Sequence, residues 1–127
     1  MGLCMNGVFM EAEYLVLSRE GIMAQDLAQS LADFDPQARV HRVVSQADAL
    51  ALIESSEALR VAFVQLSAAK VSLEQMLDSE LARLMRERRG KLVLVGEDDV
   101  PVDPLLLALP MPFTTEAIMR TLLSIGD

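Results

Sequence analysis

The sequence predicts an α/β fold in which a parallel sheet is covered by helices on both faces. Short apolar runs of strand length alternate along the chain with longer segments whose apolar residues recur every three or four positions, as on one face of a helix. Residues 59–67 form the clearest run, composed mainly of Val, Ala, Phe and Leu without regular polar alternation. Such a run is typical of a central strand buried on both faces, and strands that alternate with helices imply right-handed crossovers.

The first half of the chain predicts two strands, each followed by a helix. Residues 13–18 are a short apolar run, and the segment after Gly21 carries the apolar stripe of an amphipathic helix that Asp35-Pro36 ends. Residues 39–44 alternate in polarity enough to predict an edge strand. Ser45 is then a suitable N-cap for a second helix, because its hydroxyl can accept a hydrogen bond from the first turn.

The second half predicts a long third helix, two further strands and a last helix. A capping-box pattern begins at Ser72 and predicts one continuous third helix. Residues 91–95 and 105–109 are the fourth and fifth strand candidates, separated by a segment whose prolines forbid an ordinary helix interior. Thr114 or Thr115 is expected to cap the last helix. The residues of that helix predicted to face the core are Ile118, Met119, Leu122 and Leu123.

Arginines crowd the end of the predicted third helix. They are Arg83, Arg86, Arg88 and Arg89. Cations over a last turn, followed here by Gly90, are typical of a helix C-terminus, where they lie close to the free carbonyl groups. The same cluster could instead bind a small anion or a partner. We favour the helix terminus, because Glu80 and Glu87 dilute the positive charge.

The composition limits the classes of function and predicts a cytoplasmic protein. The formal net charge is −8 with only two lysines, which argues against nucleic acid as a direct partner because phosphate neutralisation needs clustered Lys and Arg. A single cysteine, Cys4, excludes an intramolecular disulfide and suits a reducing compartment. No run approaches the roughly 18 consecutive apolar residues of a membrane helix, so no membrane partner is expected.

Several features together resemble a known family. These are the fivefold alternation of strand and helix over residues 12–125, the helix after Gly21, the central strand that ends at Gln65, and Pro112-Phe113 followed by a capped helix. In these respects the chain resembles the receiver domains of bacterial two-component response regulators. The resemblance implies a flavodoxin-like three-layer α/β/α sandwich with five parallel strands in the order 2-1-3-4-5.

The resemblance also sets the expected extent of the domain and of its fourth helix. The receiver-like domain is expected to cover residues 12–127, and residues 1–11 are expected to be a flexible leader. Only fourteen residues separate Gly96 from Met111, and Pro101 and Pro104 are among them. The fourth helix of the family is therefore expected to be short or missing.

Apolar residues are denser between positions 100 and 113 than one buried strand needs. Because an exposed apolar patch usually marks an interface, we predict a contact surface there, together with exposed parts of the last helix. The candidate interface residues are Val102, Leu105, Leu107, Met111 and Phe113. An alternative of equal standing is that these residues fill the space that a missing helix leaves.

The resemblance implies a phosphorylation site, and this chain departs from it at every position. The paired acidic residues after the first strand correspond to Ser18 and Arg19, and the phosphoacceptor Asp that ends the third strand corresponds to Gln65. The Ser or Thr that ends the fourth strand corresponds to Gly96, and the Lys before the Pro-Phe pair corresponds to Met111. These five positions are expected to be vestiges of the site.

The chemistry of phosphoryl transfer explains why these departures matter together. The reaction needs a carboxylate nucleophile, a divalent cation and a fixed positive group. Gln65 has no anionic oxygen, and Ser18 with Arg19 cannot form a cage of hard oxygen ligands for Mg²⁺. We therefore expect no enzyme activity, no catalytic residue, no metal and no cofactor.

These observations predict a degenerate receiver that works in signal transduction as a phosphorylation-independent protein-interaction module. The expected partner is a protein: a second copy in a homodimer, a histidine kinase, another regulator or an effector domain. Two alternatives stay open. One is a phosphorelay receiver with a displaced acceptor, and the other is a small-ligand sensor that uses a pocket formed by Ser18, Gln65 and Gly96.

Overall fold

Five strands and six helices make up residues 12–111 and 114–125, which are the residues that the computed structural model describes. The strands are β1 (Glu13–Leu17), β2 (Arg39–Val43), β3 (Leu59–Val64), β4 (Lys91–Val95) and β5 (Leu106–Leu109). The helices are α1 (Gly21–Phe34), α2 (Gln46–Ser55), α3 (Leu66–Ala69), α4 (Leu73–Leu77), α5 (Glu80–Glu87) and α6 (Thr115–Ile125). The expected leader, residues 1–11, lies outside the described residues.

The strands form one sheet in the order β2-β1-β3-β4-β5, and every pair of neighbours is parallel. Leu15 in β1 lies opposite His41 in β2 and Ala62 in β3, so β1 and β3 occupy the interior of the sheet. The predicted fold class and strand order are confirmed. The prediction of an edge strand is also confirmed, because β2 lies at one side of the sheet.

Two cores cover the two faces of the sheet and give the fold its three layers. Val61 and Phe63 of β3 pack into a cluster with residues of α1 and α6, whereas Ala62 and Val64 pack into a cluster with residues of α2 to α5. All four side chains are buried. Because both faces of β3 are covered, its sequence is an apolar run and not an alternation.

Polar side chains begin the helices at the positions that the sequence predicts. The Ser45 hydroxyl accepts a hydrogen bond of 3.2 Å from the backbone N–H of Asp48 at the start of α2. Ser72 and Gln75 form a complete capping box at the start of α4. Each of these caps satisfies an N–H group that has no partner within its helix.

The prediction of one continuous third helix is wrong, because two helices, α4 and α5, take its place. Ser79 lies between α4 and α5, and its hydroxyl accepts a hydrogen bond of 3.2 Å from the N–H of Ala82. The same hydroxyl donates a bond of 2.6 Å to the carbonyl oxygen of Met76. Ser79 therefore ends one helix and caps the next, as a short polar side chain that competes for backbone groups does.

No helix lies between β4 and β5, a segment that the structure describes completely, and the predicted absence of the fourth helix is confirmed. Asp103 holds this segment in place. Its side chain accepts bonds of 3.0 and 2.8 Å from the guanidinium group of Arg86 and one of 2.8 Å from the N–H of Leu105. Two prolines in the segment, Pro101 and Pro104, lack the N–H groups that a helix interior needs.

Leu105 is buried in the core, at the place where the fourth helix is absent, and is not part of a surface. Its side chain is only 2% exposed and belongs to the core cluster on the α2 to α5 side of the sheet. The prediction that Leu105 lines a contact surface is therefore corrected. At this position the alternative is right, because the residue fills the space that a helix would otherwise cover.

The helices of the described segments are too short to cross a lipid bilayer, since the longest, α1, has 14 residues.

Candidate functional site

The C-terminal ends of the central strands bring three of the predicted site residues to one edge of the sheet. In the ladders, Leu17 of β1 lies opposite Val64 of β3, and Val64 lies opposite Leu94 of β4. Ser18 directly follows β1, Gln65 directly follows β3, and Gly96 directly follows β4. In open α/β sheets this C-terminal edge is where ligands usually bind.

Ser18, Gln65 and Glu20 form a closed ring of hydrogen bonds at this edge. The Ser18 hydroxyl donates a bond of 2.9 Å to the side-chain oxygen of Gln65. The side-chain nitrogen of Gln65 donates to the Glu20 carboxylate, and the backbone N–H of Glu20 donates a bond of 3.0 Å back to the Ser18 hydroxyl oxygen. Ser18 is only 4% exposed, so the ring satisfies a buried hydroxyl.

The ring fixes the orientation of the Gln65 amide. A carboxylate can only accept hydrogen bonds, so the amide nitrogen must face Glu20 and the amide oxygen must face Ser18. The sequence analysis did not assign a role to Glu20. No local pattern signals that role, because the contact joins residues 45 positions apart.

The ring offers little to phosphoryl-transfer chemistry. A side-chain amide is neither a strong nucleophile nor a general base, and the Gln65 oxygen already accepts a bond from Ser18. The donor set does not fit Mg²⁺, which is held by hard oxygen ligands such as paired carboxylates, because Glu20 is the one carboxylate of the ring. Across the described residues, no three His, Cys, Asp or Glu side chains gather as metal ligands would.

An acidic loop follows β4, at the same C-terminal edge of the sheet as the ring of Ser18, Gln65 and Glu20. It contains Glu97, Asp98 and Asp99, none of which has a side-chain hydrogen bond or ion pair among residues 12–111 and 114–125. The loop therefore places unpaired negative charge at the C-terminal end of the strand.

Gly96 and Met111, the two other vestigial positions, are neighbours. Gly96 has a φ of 90°, a conformation that residues with a side chain rarely adopt, and a Cβ there would lie 3.7 Å from the Cγ atom of Met111. Neither residue can supply a hydroxyl or a positive charge from its side chain. Met111 is 47% exposed, so it presents an apolar side chain to solvent beside this edge.

A cavity of ≈ 310 Å³ lies beside Ser18, at the lower end of the range of roughly 300 to 1,000 Å³ that is typical of small-ligand pockets. Arg19, Gly21, Arg42 and Val44 contribute to its lining. Gln65 and Gly96 do not line this cavity, which lies between the ends of β1 and β2. Arg19 is exposed and forms no hydrogen bond or ion pair within the described part of the chain.

The predicted contact surface is exposed in part. Val102 is fully exposed, whereas Leu107 is half-buried and packs against the cluster on the α1 and α6 side of the sheet. Phe113 lies outside the described residues.

The last helix, α6, exposes apolar residues that the sequence analysis predicted to face inward. Ile118 and Leu122 are buried as predicted, but Met119 and Leu123 are 40% and 62% exposed. Both pairs are apolar and spaced by four residues, so helical periodicity could not decide which pair faces the core.

No protein-family model matches the chain, and no curated protein matches it in sequence. Two solved structures are similar in fold. One is a CheY-like response regulator receiver domain from Methylobacillus flagellatus, with a TM-score of 0.65, 18% identity, and coverage of 92% of this chain and 100% of that one. The other is the signal receiver domain of a DNA-binding response regulator from Colwellia psychrerythraea 34H, with a TM-score of 0.68, 12% identity, and coverage of 91% and 98%. The chain therefore has the fold of a CheY-like receiver domain.

Proposed function

We propose that this receiver-like domain acts in signal transduction without being phosphorylated, by binding another protein, and that it is not an enzyme. The observation that carries the proposal is the state of Gln65 at the end of the central strand. Both polar atoms of its side chain are engaged, the oxygen with Ser18 and the nitrogen with Glu20. A group held in this way stabilises the edge of the sheet and offers no acceptor for a phosphoryl group.

The binding role is supported by apolar side chains around β5. Val102 precedes this strand and Met111 follows it, and α6, which packs against β5, exposes Met119 and Leu123. On its outer side β5 has no neighbouring strand among the described residues. Exposed apolar side chains beside an open strand are typical of a protein contact surface. The partner we propose is a signalling protein of the cytoplasm: a second copy, a histidine kinase, a regulator or an effector domain.

Intact-mass measurement tests the absence of phosphorylation. The chain is incubated with acetyl phosphate and Mg²⁺ beside a receiver that has a phosphoacceptor Asp. We expect the control to gain a phosphoryl group and this chain to keep its mass. A labile acyl phosphate on any carboxylate of this chain would overturn the proposal in favour of a phosphorelay receiver with a displaced acceptor.

A capture experiment tests the contact surface. The wild-type chain, the Val102→Asp variant and the Ile22→Asp variant serve as baits in a lysate of the native cell. Ile22 is a matched control, because it is also exposed and apolar but lies at the start of α1, a helix that packs against β1 and β2. We expect Val102→Asp to lose partners that Ile22→Asp retains. Equal recovery by the two variants would contradict a contact surface at β5.

The cavity beside Ser18 favours one second candidate, a sensor of small anionic ligands. Arg19 and Arg42 contribute to its lining and would attract negative charge. Thermal unfolding in the presence of individual anionic metabolites tests this candidate, because a ligand that binds the native state raises the melting temperature. No shift at millimolar ligand would exclude it.

A further inference from the structure

Positive charge is concentrated at the turn between α5 and β4. Four of the eleven Lys and Arg residues of a chain with net charge −8 fall between positions 86 and 91, and we call this segment the cationic turn. Its cationic residues are Arg86, Arg88, Arg89 and Lys91. The turn lies at the N-terminal end of β4, whereas Gly96 and the acidic loop lie at the C-terminal end.

The backbone closes the end of α5 without help from these side chains. The N–H of Gly90 donates a bond of 2.7 Å to the carbonyl oxygen of Met85, and the N–H of Arg89 donates one of 3.1 Å to that of Arg86. With Arg89 at a φ of 57°, this is the Schellman arrangement of a helix C-terminus. The helix ends here as predicted, and its backbone makes these hydrogen bonds without using the positive side chains.

Three of the cationic side chains are held by bonds to other parts of the chain. Arg86 binds the Asp103 carboxylate, Arg88 donates to the carbonyl oxygens of Ser56 and Leu59, and Lys91 donates to that of Pro104. These bonds fix the positions of the charges. A binding site gains from such charges, because they need not be ordered when the ligand arrives.

Arg89 is the exception, and its conformation is unfavourable for an arginine. The left-handed position at a helix C-terminus usually holds glycine, which adopts it without steric cost. Here glycine is the following residue, because a Cβ at Gly90 would lie 2.7 Å from the carbonyl oxygen of Arg60. The exposed Arg89 side chain forms no hydrogen bond or ion pair within residues 12–111 and 114–125. The fold itself thus gains nothing visible from this guanidinium group.

A cavity of ≈ 320 Å³ lies against the cationic turn. Its lining residues are Arg86, Arg89, Gly90, Lys91, Pro104 and Leu105. The cations outnumber the one carboxylate bound to them, that of Asp103, and the hydrogen bond from Arg86 lowers the pKa of that carboxyl group. The exposed ring of Pro104 adds an apolar wall to this positively charged depression.

We propose that this cavity binds an acidic segment of a partner protein, with carboxylates bound by Arg89 and Lys91. Arg86, which lines the cavity, already binds the Asp103 carboxylate through a bidentate pair of hydrogen bonds. Nucleic acid fits less well, because its regularly spaced phosphates need Lys and Arg along an extended surface, whereas the positive charge here is confined to residues 86–91. The cavity adjoins the start of β5 through Pro104 and Leu105 but is lined by neither Val102 nor Met111, so the inference does not rest on the contact surface proposed above.

Fluorescence anisotropy with the full chain tests the inference. The probe is a labelled peptide of alternating Glu and Ser, and its counterpart has Gln in place of Glu. The test variant is Arg89→Gly, and the control is Lys70→Gly, because Lys70 is also exposed, also at a positive φ of 61°, and outside the cavity. Both variants relieve a left-handed non-glycine residue, so both should unfold at the same or a higher urea concentration than the wild type.

We expect the wild type to bind the Glu peptide and not the Gln peptide, with affinity that falls as salt rises. Arg89→Gly should weaken binding about threefold to fivefold, and Lys70→Gly should leave it unchanged. Equal affinities of Arg89→Gly and the wild type would overturn the inference. Tighter binding of a single-stranded oligonucleotide than of the Glu peptide would overturn it too and assign the surface to nucleic acid.

Discussion

The hydroxyl of Ser18 donates a hydrogen bond of 2.9 Å to the side-chain oxygen of Gln65, and this bond joins the ends of β1 and β3. A backbone bond of 2.9 Å from the N–H of Gln65 to the carbonyl oxygen of Leu17 runs beside it. In this fold the junction is where ligands and reacting groups are usually found. Here it is closed by polar side chains that satisfy one another.

Removing the Gln65 amide should destabilise the domain. Gln65→Ala leaves the buried Ser18 hydroxyl without its acceptor, which costs about 1 to 3 kcal/mol of unfolding free energy. Gln29→Ala is the control, because Gln29 makes an exposed bond to Asp33 on the same helix that is worth about 0.5 kcal/mol or less. Urea unfolding measures both. A Gln65→Ala variant as stable as Gln29→Ala would mean that the ring contributes nothing.

The stability of the segment between β4 and β5 should depend more on the hydrogen bond from the Leu105 N–H to Asp103 than on the ion pair between Asp103 and Arg86. Asp103→Ala loses the bond to the Leu105 N–H and should cost about 1 to 2 kcal/mol. Arg86→Ala loses only the half-exposed pair with Asp103 and should cost less than about 1 kcal/mol. The free energies of unfolding in urea decide between them, and a larger loss for Arg86→Ala would reverse the assignment.

Truncation of Leu105 should destabilise the domain far more than truncation of Val102. Leu105→Ala opens a cavity in the core and should cost about 2 to 4 kcal/mol. Val102→Ala removes a fully exposed side chain and should change stability by less than about 0.5 kcal/mol. Thermal and urea unfolding measure both changes. Similar values for the two variants would contradict the burial of Leu105.

The stability of the domain should fall in acid partly through Glu13. Its carboxylate accepts bonds of 2.7 Å from Ser56 and 2.8 Å from His41, and these lower its pKa from the ordinary value of 4.5, the Ser56 bond most strongly. A carboxyl group with a lowered pKa stabilises the fold above its unfolded-state pKa and loses that contribution as the pH falls through its folded-state pKa.

The wild type should therefore be more stable than Glu13→Gln at neutral pH, and the difference should shrink as the pH falls below 4.5. Urea unfolding between neutral and acid pH measures it. Glu54→Gln is the control, since Glu54 is exposed and forms no side-chain bond in the described part of the chain. A difference for Glu13→Gln that stays constant with pH would show that its bonds do not favour the charged form.

The strands and the helix caps could be predicted from the sequence because their signals are local, whereas the order of the strands came from the resemblance to receiver domains. The apolar run of β3 reflects burial on both faces, and Ser45 and Ser72 cap helices through bonds to residues only three positions away. Each feature involves a few consecutive residues, so composition and spacing are enough to predict it.

The remaining features depend on contacts between distant residues. The bond between Ser18 and Gln65 joins residues that are 47 positions apart, and the ion pair between Arg86 and Asp103 joins residues that are 17 positions apart. Two apolar stripes on α6 compete for the core, and only packing selects Ile118 and Leu122 over Met119 and Leu123. Leu105 packs into the core and fills space that a fourth helix would otherwise cover, which becomes clear only from the three-dimensional arrangement.

The strand β4 begins at a lysine within the cationic turn and leads at its other end into the loop of Glu97, Asp98 and Asp99. Opposite charges at the two ends of this strand contribute to the dipole moment of the molecule along the strand direction. The electric field of a charged partner exerts a torque on such a dipole and rotates the molecule before the two surfaces touch. Steering of this kind favours some directions of approach over others during diffusion, ahead of any specific contact.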